Sequence, residues 1–255
     1  MPGILRVMTS TSPHRSGGSP RVDRPYERCA TVAVDGRIAC YRESGDRGPT
    51  VLLAHVPDRL HERWEPLIRA LSVRYRVLTP QLLGYGRLER PTRDMRLHPW
   101  SDCSVLLALA EQAGDPVHLV GHSYGGAVAL ETARALGKRA LSLTLVEPIG
   151  FHLLHLEQAV SEARNIPTYR RLVTPTRLVV GQHTPAPARG IVDELLRILP
   201  DAVLRVLPRA GHMSPFTHPA ELSALISEHI DCVDGDCDPD CTDTAPHREH
   251  RRSIA

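Results

Sequence analysis

The chain has 255 residues, 42% of them hydrophobic, and a formal net charge of +2. That length suits one large domain or two small ones, and so small a charge gives no reason to expect nucleic acid or an anionic membrane as a partner. No apolar run is long enough to span a bilayer, and the first eight residues lack the apolar core of a secretory signal, so a cytoplasmic address is the default expectation.

Residues 1–27 are rich in Ser, Pro, Gly and Arg without an apolar period, which predicts a disordered N-terminal arm. Thr31–Val34 and Arg37–Tyr41 flank Asp35-Gly36, a hairpin signal because both turn residues need positive φ. Thr50–Ala54 is a continuous apolar run, as expected of a strand buried on both faces. Trp64, Leu67, Ile68 and Leu71 then recur at helical spacing, which places Trp64 in the core. After a strand at Val77-Leu78 comes a long loop, 81–99, holding Arg87, Arg90, Arg93 and Arg96, which reads as a solvated loop. A helix over Val105–Ala113 leads to the apolar run Pro116–Val120, the turn Gly121-His122-Ser123-Tyr124-Gly125, and a small-residue helix stopped by Gly137. That helix is apolar almost all round, so it is expected to be buried. Leu141–Val146 is the sixth strand, ending in Glu147-Pro148. The short span to the next strand, Arg177–Val180, has room for one or two helices such as 153–163. A helix over Pro185–Leu199, a last strand at Val203–Leu207, the turn Gly211-His212-Met213 and a helix opening at Pro219 complete the domain, drawn as 28–230. Residues 231–255 have no apolar period and read as a disordered tail. Of the six cysteines, Cys29, Cys40 and Cys103 read as buried apolar residues. Cys232, Cys237 and Cys241 lack a C-x-x-C pair and read as reactive thiols of the tail, so no metal is implied.

Gly121-His122-Ser123-Tyr124-Gly125 fits G-x-S-x-G, the pattern that lifts a serine above a sheet edge on a strained strand-to-helix turn. The glycines let the helix pass close to neighbouring backbone, and its N-terminus offers N–H groups to a developing oxyanion. With Val34-Asp35-Gly36, Tyr41-Arg42-Glu43-Ser44-Gly45, Arg74–Pro80, Gly84-Tyr85-Gly86-Arg87 and Ala210-Gly211-His212-Met213, the chain resembles the serine-nucleophile members of the α/β-hydrolase family over roughly residues 29–230. The resemblance implies a mostly parallel eight-stranded sheet with helices on both faces; the short span after Glu147 adds a minimal or absent lid.

The resemblance assigns Ser123 as nucleophile and His212 as base among the 14 histidines. His122 reads as packing beneath the turn, while His55, His152, His155 and His183 could line a pocket. The family's usual acid position, in the turn after Arg177–Val180, holds Thr184. Glu147 at the sixth strand's end keeps the order Ser, acid, His and is the expected acid, as in some family members. The expected oxyanion donors are the N–H groups of Val56 and Tyr124, with His55 standing where glycine is usual. The implied activity is cleavage of a small carboxylic ester through an acyl-enzyme, without cofactor, on a small-molecule ester-like substrate. Oligomeric state is not readable. Serine in place of aspartate argues against dehalogenase and epoxide hydrolase chemistry. Thioesterase, C–C hydrolase, cofactor-free haloperoxidase and lyase activity use the same residues and stay open, as does a non-catalytic ligand-binding protein on the same fold.

Overall fold

The computed structural model describes residues 27–55, 61–82, 99–114, 116–149 and 166–235. The N-terminal arm through residue 26, Val56, the arginine-bearing loop, the expected helix over 153–163 and the tail from 236 onward lie outside these residues, as does most of the segment on which the lid reading rests.

Asp35 and Gly36 take φ of 48° and 75°, closing the hairpin of β1 (Glu27–Val34) and β2 (Arg37–Ser44). The other strands are β3 (Thr50–Ala54), β4 (Arg76–Pro80), β5 (Val117–His122), β6 (Ala140–Val146), β7 (Thr176–Gly181) and β8 (Ala202–Leu207). They form an eight-stranded sheet in the order β1-β2-β4-β3-β5-β6-β7-β8. The two pairings of β2 are antiparallel and the rest are parallel, the arrangement expected of the sheet.

Side chains of a strand alternate between faces, and the sheet uses that period to build two cores. Leu52, Leu119, Leu143, Leu145, Leu178 and Val180 face α2 (Pro99–Ala113), α3 (Tyr124–Leu136) and α5 (Ala186–Ile198). Val51, Leu53, Val120, Val146 and Val179 face α1 (His61–Ser72) and α7 (Pro219–Asp234). Two short helices, α4 (Ile166–Tyr169) and α6 (Ser214–Thr217), and a 3-10 turn over Gly137–Arg139 complete the described elements. Burial on both faces explains why the central strands read as unbroken apolar runs rather than alternating ones. Trp64 is buried in the α1 core, as its helical spacing implied.

The structure moves both domain edges. β1 begins at Glu27, inside the expected arm. α7 runs on to Asp234, four residues past the expected end at Ile230, where the apolar period stops. Polar contacts carry that extension: the Arg74 guanidinium grips both Asp231 carboxylate oxygens at 3.0 and 2.7 Å, and Gly235 then ends the helix at φ 86°. Cys232, in this last stretch, is disulfide-bonded rather than a reactive thiol. Cys103 is buried as expected, whereas Cys40 is only half-buried.

Candidate active site

Register brings the site together. In the parallel ladder His122 pairs with Val146, so the residues that follow, Ser123 and Glu147, leave adjacent strands on the same edge. The Ser123 N–H donates to Val146 O at 3.0 Å and the Glu147 N–H to Val179 O at 2.9 Å, extending the ladder one step past each strand.

Ser123 takes φ 56°, ψ −122°, a conformation that L residues rarely adopt and that persists only where the surroundings impose it. The imposing contacts are close backbone approaches. A Cβ on Gly125 would lie 2.2 Å from Ala54 O, and one on Gly121 would lie 2.4 Å from Gly125 O. Both positions therefore require glycine, which explains the motif's spacing in this chain. A serine before a helix usually caps it with its hydroxyl. Ser123 makes no such side-chain bond; its Oγ lies 3.1 Å from His212 Nε2.

His212 lies in the turn between β8 and α6, and its side chain is 34% exposed. Its Nδ1 lies 2.8 Å from Glu147 Oε2. Glu147 is fully buried and has φ 44°. Its second oxygen accepts from Gly181 N–H at 3.0 Å and from Thr184 Oγ1 at 2.5 Å. Burial by itself pushes this carboxyl's pKa up, but the hydrogen bonds from His212, Thr184 and Gly181 outweigh it and hold the group below its ordinary value. An ionised Glu147 can only accept, so His212 carries its proton on Nδ1 and presents the Nε2 lone pair to Ser123.

The site therefore joins Ser123, His212 and Glu147 from three separate stretches of chain. Of the two expected oxyanion donors, Tyr124 opens α3 beside Ser123, and Val56 lies outside the described residues. His55 is buried with its ring stacked on Trp64, centroids 4.9 Å apart. His183 is exposed; His152 and His155 lie outside the described residues. His122 does sit beneath the turn, and it also bonds His212: its Nε2 is 2.7 Å from the His212 carbonyl oxygen.

Three contributors were not foreseen. Thr184 stands where an acid was sought and instead donates to an acid on another strand. A hydroxyl at that turn was the available signal. The Gly181 N–H left no signal, since every residue but proline has one. Asp102, in the first turn of α2, accepts the Tyr124 O–H at 2.6 Å and ties α2 to the opening of α3. Among the described residues, no group of three or more His, Cys, Asp or Glu side chains is placed to hold a metal ion, and no helix is long and apolar enough to cross a membrane.

The sequence model of the alpha/beta hydrolase family matches residues 51–166. Among curated proteins, the chain is similar to "Probable oxidoreductase EphD" of Mycobacterium bovis, 30% identical over 47% of this chain and 21% of that one. It is also similar to "Lipase LipV" of Mycobacterium tuberculosis, 36% identical over 41% of this chain and 39% of the relative. The match thus spans well under half the length of these relatives. Among solved structures, a bacterial membrane phospholipase A superposes with a TM-score of 0.69 at 20% identity, covering 82% of this chain and 87% of the other. At that identity the likeness is one of fold.

Proposed function

Because the chain belongs to the α/β-hydrolase family, we propose that it is a serine hydrolase that cleaves a small carboxylic ester through an acyl-enzyme. His212 Nε2 removes the Ser123 hydroxyl proton as Oγ attacks the ester carbonyl carbon. The negative charge that develops on the carbonyl oxygen is met by the Tyr124 N–H at the positive end of α3, with the Val56 N–H as the second donor. The tetrahedral intermediate collapses, the alkoxide leaves with the proton from His212, and the acyl group stays on Ser123. Water then attacks the acyl carbon, His212 takes its proton, and the carboxylic acid departs as that proton returns to Ser123. Glu147 holds the imidazole in the Nδ1–H tautomer and stabilises the imidazolium formed in each half.

The observation that carries this reading is the unbroken line from Ser123 Oγ through His212 to Glu147, at 3.1 and 2.8 Å. The strained φ of 56° at Ser123 supports it. The test is labelling with a fluorophosphonate and hydrolysis of an activated acetate ester, by wild type and by Ser123→Ala. Labelling and turnover should both vanish in the folded variant. Labelling that persists there, or a folded wild type that neither labels nor hydrolyses any of a broad ester panel, overturns the proposal.

A further inference from the structure

His122 sits at the end of β5, one residue before Ser123, and 2% or less of it reaches solvent. Its side chain points to the α1 face, where its ring lies 5.4 Å from the Trp64 ring and 5.0 Å from the His212 ring, centroid to centroid. The bond from its Nε2 to the His212 carbonyl settles its tautomer. A carbonyl oxygen only accepts, so Nε2 bears the proton and donates. Nδ1 is then the lone-pair nitrogen, and it has no hydrogen-bond partner among the described residues.

Two consequences follow from that geometry. His122 Nε2 is committed to a carbonyl and cannot receive the Ser123 proton, and the ring nitrogen beside Ser123 Oγ is His212 Nε2. The bond also runs from the strand that carries Ser123 to the backbone of the residue that carries the base. His212 belongs to a turn whose main chain meets the end of β7 two residues earlier, where the His183 N–H donates to Ala210 O at 2.8 Å, and its own ring is partly exposed. His212 is therefore contacted from two ends: Glu147 bonds its ring, and His122 bonds its main chain.

Resting on the proposed serine-hydrolase reading, we infer that His122 is a positioning residue that holds the His212 backbone in register with Ser123 by donating its Nε2 proton to the His212 carbonyl. Burial keeps its imidazole neutral, with a pKa pushed down to about 4. The tether therefore adds no positive charge beside His212 at the moment His212 becomes an imidazolium. A lysine or arginine there would supply a donor but oppose that charge.

The donor, not the bulk, is what this role requires, and a pair of variants separates the two. Glutamine and methionine side chains have nearly the same length and volume, but only glutamine donates. For an activated acetate ester, His122→Met should lower kcat by about 10- to 100-fold with KM changed less than about threefold, because displacing the base misaligns the reacting atoms without removing substrate contacts. His122→Gln should retain kcat within about fivefold of wild type. Fluorophosphonate labelling rates should follow kcat in both. His122→Phe keeps the ring and loses the donor; it should behave like the methionine variant and stands in if that variant does not fold. Thermal midpoints of the three variants provide the control, since a purely packing role would make kcat track stability rather than the donor. Equal kcat in the glutamine and the donor-free variants overturns the inference while Ser123-dependent turnover in wild type leaves the enzyme reading standing. Absence of Ser123-dependent turnover in wild type overturns that reading, and the inference with it.

Discussion

The same two strands carry two buried polar clusters, one at each end. At their C-terminal ends β5 and β6 lead into Ser123, Glu147 and their contact with His212. Nearer their N-terminal ends, under α7, His118 of β5 bonds Ser142 of β6 at 2.9 Å and lies 3.5 Å from an Asp234 carboxylate oxygen. Beside it Thr144 of β6 bonds His229 of α7 at 3.0 Å, and the fully buried Arg177 of β7 reaches the Leu225 carbonyl and Glu228. Both clusters combine histidine, hydroxyl and carboxylate at hydrogen-bonding distance. Residue type therefore does not distinguish a reactive arrangement from a structural one.

Access and backbone conformation do. His212 is one-third exposed, and its serine and carboxylate partners both sit at positive φ. Under α7 no partner is in a positive-φ conformation, and both histidines are buried beneath the helix, with only the Asp234 and Glu228 carboxylates reaching solvent. Desolvation there pushes the pKa of His118 down and that of His229 down to about 3, so both rings are neutral packing elements near neutral pH. The first cluster spends backbone strain on presenting one serine oxygen to a partly exposed histidine; the second closes an interface between sheet and helix.

If that contrast is right, the two ends should separate in experiment: substitutions at the edge should change turnover with little effect on stability, and those under α7 the reverse. The largest effect is expected from Glu147→Gln, which keeps the shape but cannot stabilise an imidazolium. Turnover should fall about 10²- to 10⁴-fold, while the thermal midpoint shifts by no more than a few degrees. A loss of less than about fivefold would remove Glu147 from the proposed triad.

Next in size is a pH effect on stability. His229 has a folded pKa near 3, below the ordinary histidine value, so the unfolded chain binds the proton first as pH falls. The stability it contributes is complete above the ordinary histidine pKa and is lost progressively from there down through the folded value. Between pH 6 and 4 this amounts to about 1.4 kcal/mol per pH unit for one such proton. His229→Gln should flatten the measured slope by about one proton per molecule unfolded and leave kcat at neutral pH unchanged. A slope that does not change would mean that this ring titrates normally in the fold.

The smallest expected effect belongs to Thr184→Ala. Glu147 Oε1 would lose one of its two donors and keep the Gly181 N–H. A two- to fivefold fall in kcat is expected, in line with one hydrogen bond worth about 1 kcal/mol net. A fall as large as that of Glu147→Gln would mean that the hydroxyl, rather than the register of β6 and β7, holds the carboxylate in place.

Much of this molecule follows from local rules. Asp35-Gly36 can turn only one way between two strand-like runs. The apolar runs of β3, β5 and β7 can be buried only between two helical layers. Gly121 and Gly125 bracket a serine because a Cβ on either would lie 2.4 or 2.2 Å from a backbone oxygen. Most of these constraints act within a few residues or along one period, so the sequence carries them openly; the contact of Gly125 with Ala54 on β3 is the exception, and there the motif's spacing was the signal. The ends of the domain were less legible, since α7 outruns its apolar period and is held there by Arg74, distant in sequence from Asp231.

What only the tertiary structure decided is which side chains meet. Nothing near His118 or His122 in the sequence marks one as a packing element under α7 and the other as a tether to His212; the four-residue offset along β5 separates them by most of the strand's length. Likewise Thr184 reads locally as a missing acid, and becomes a donor because parallel register places the end of β7 beside the end of β6. Parallel strands pair only through crossovers of many residues, so contacts at their ends are long-range by construction. The sequence by itself determined that a serine would stand on a strained turn at a sheet edge. The resemblance named His212 and Glu147 as its partners, and the sheet's strand order and register are what bring those distant residues to contacts of 3.1 and 2.8 Å.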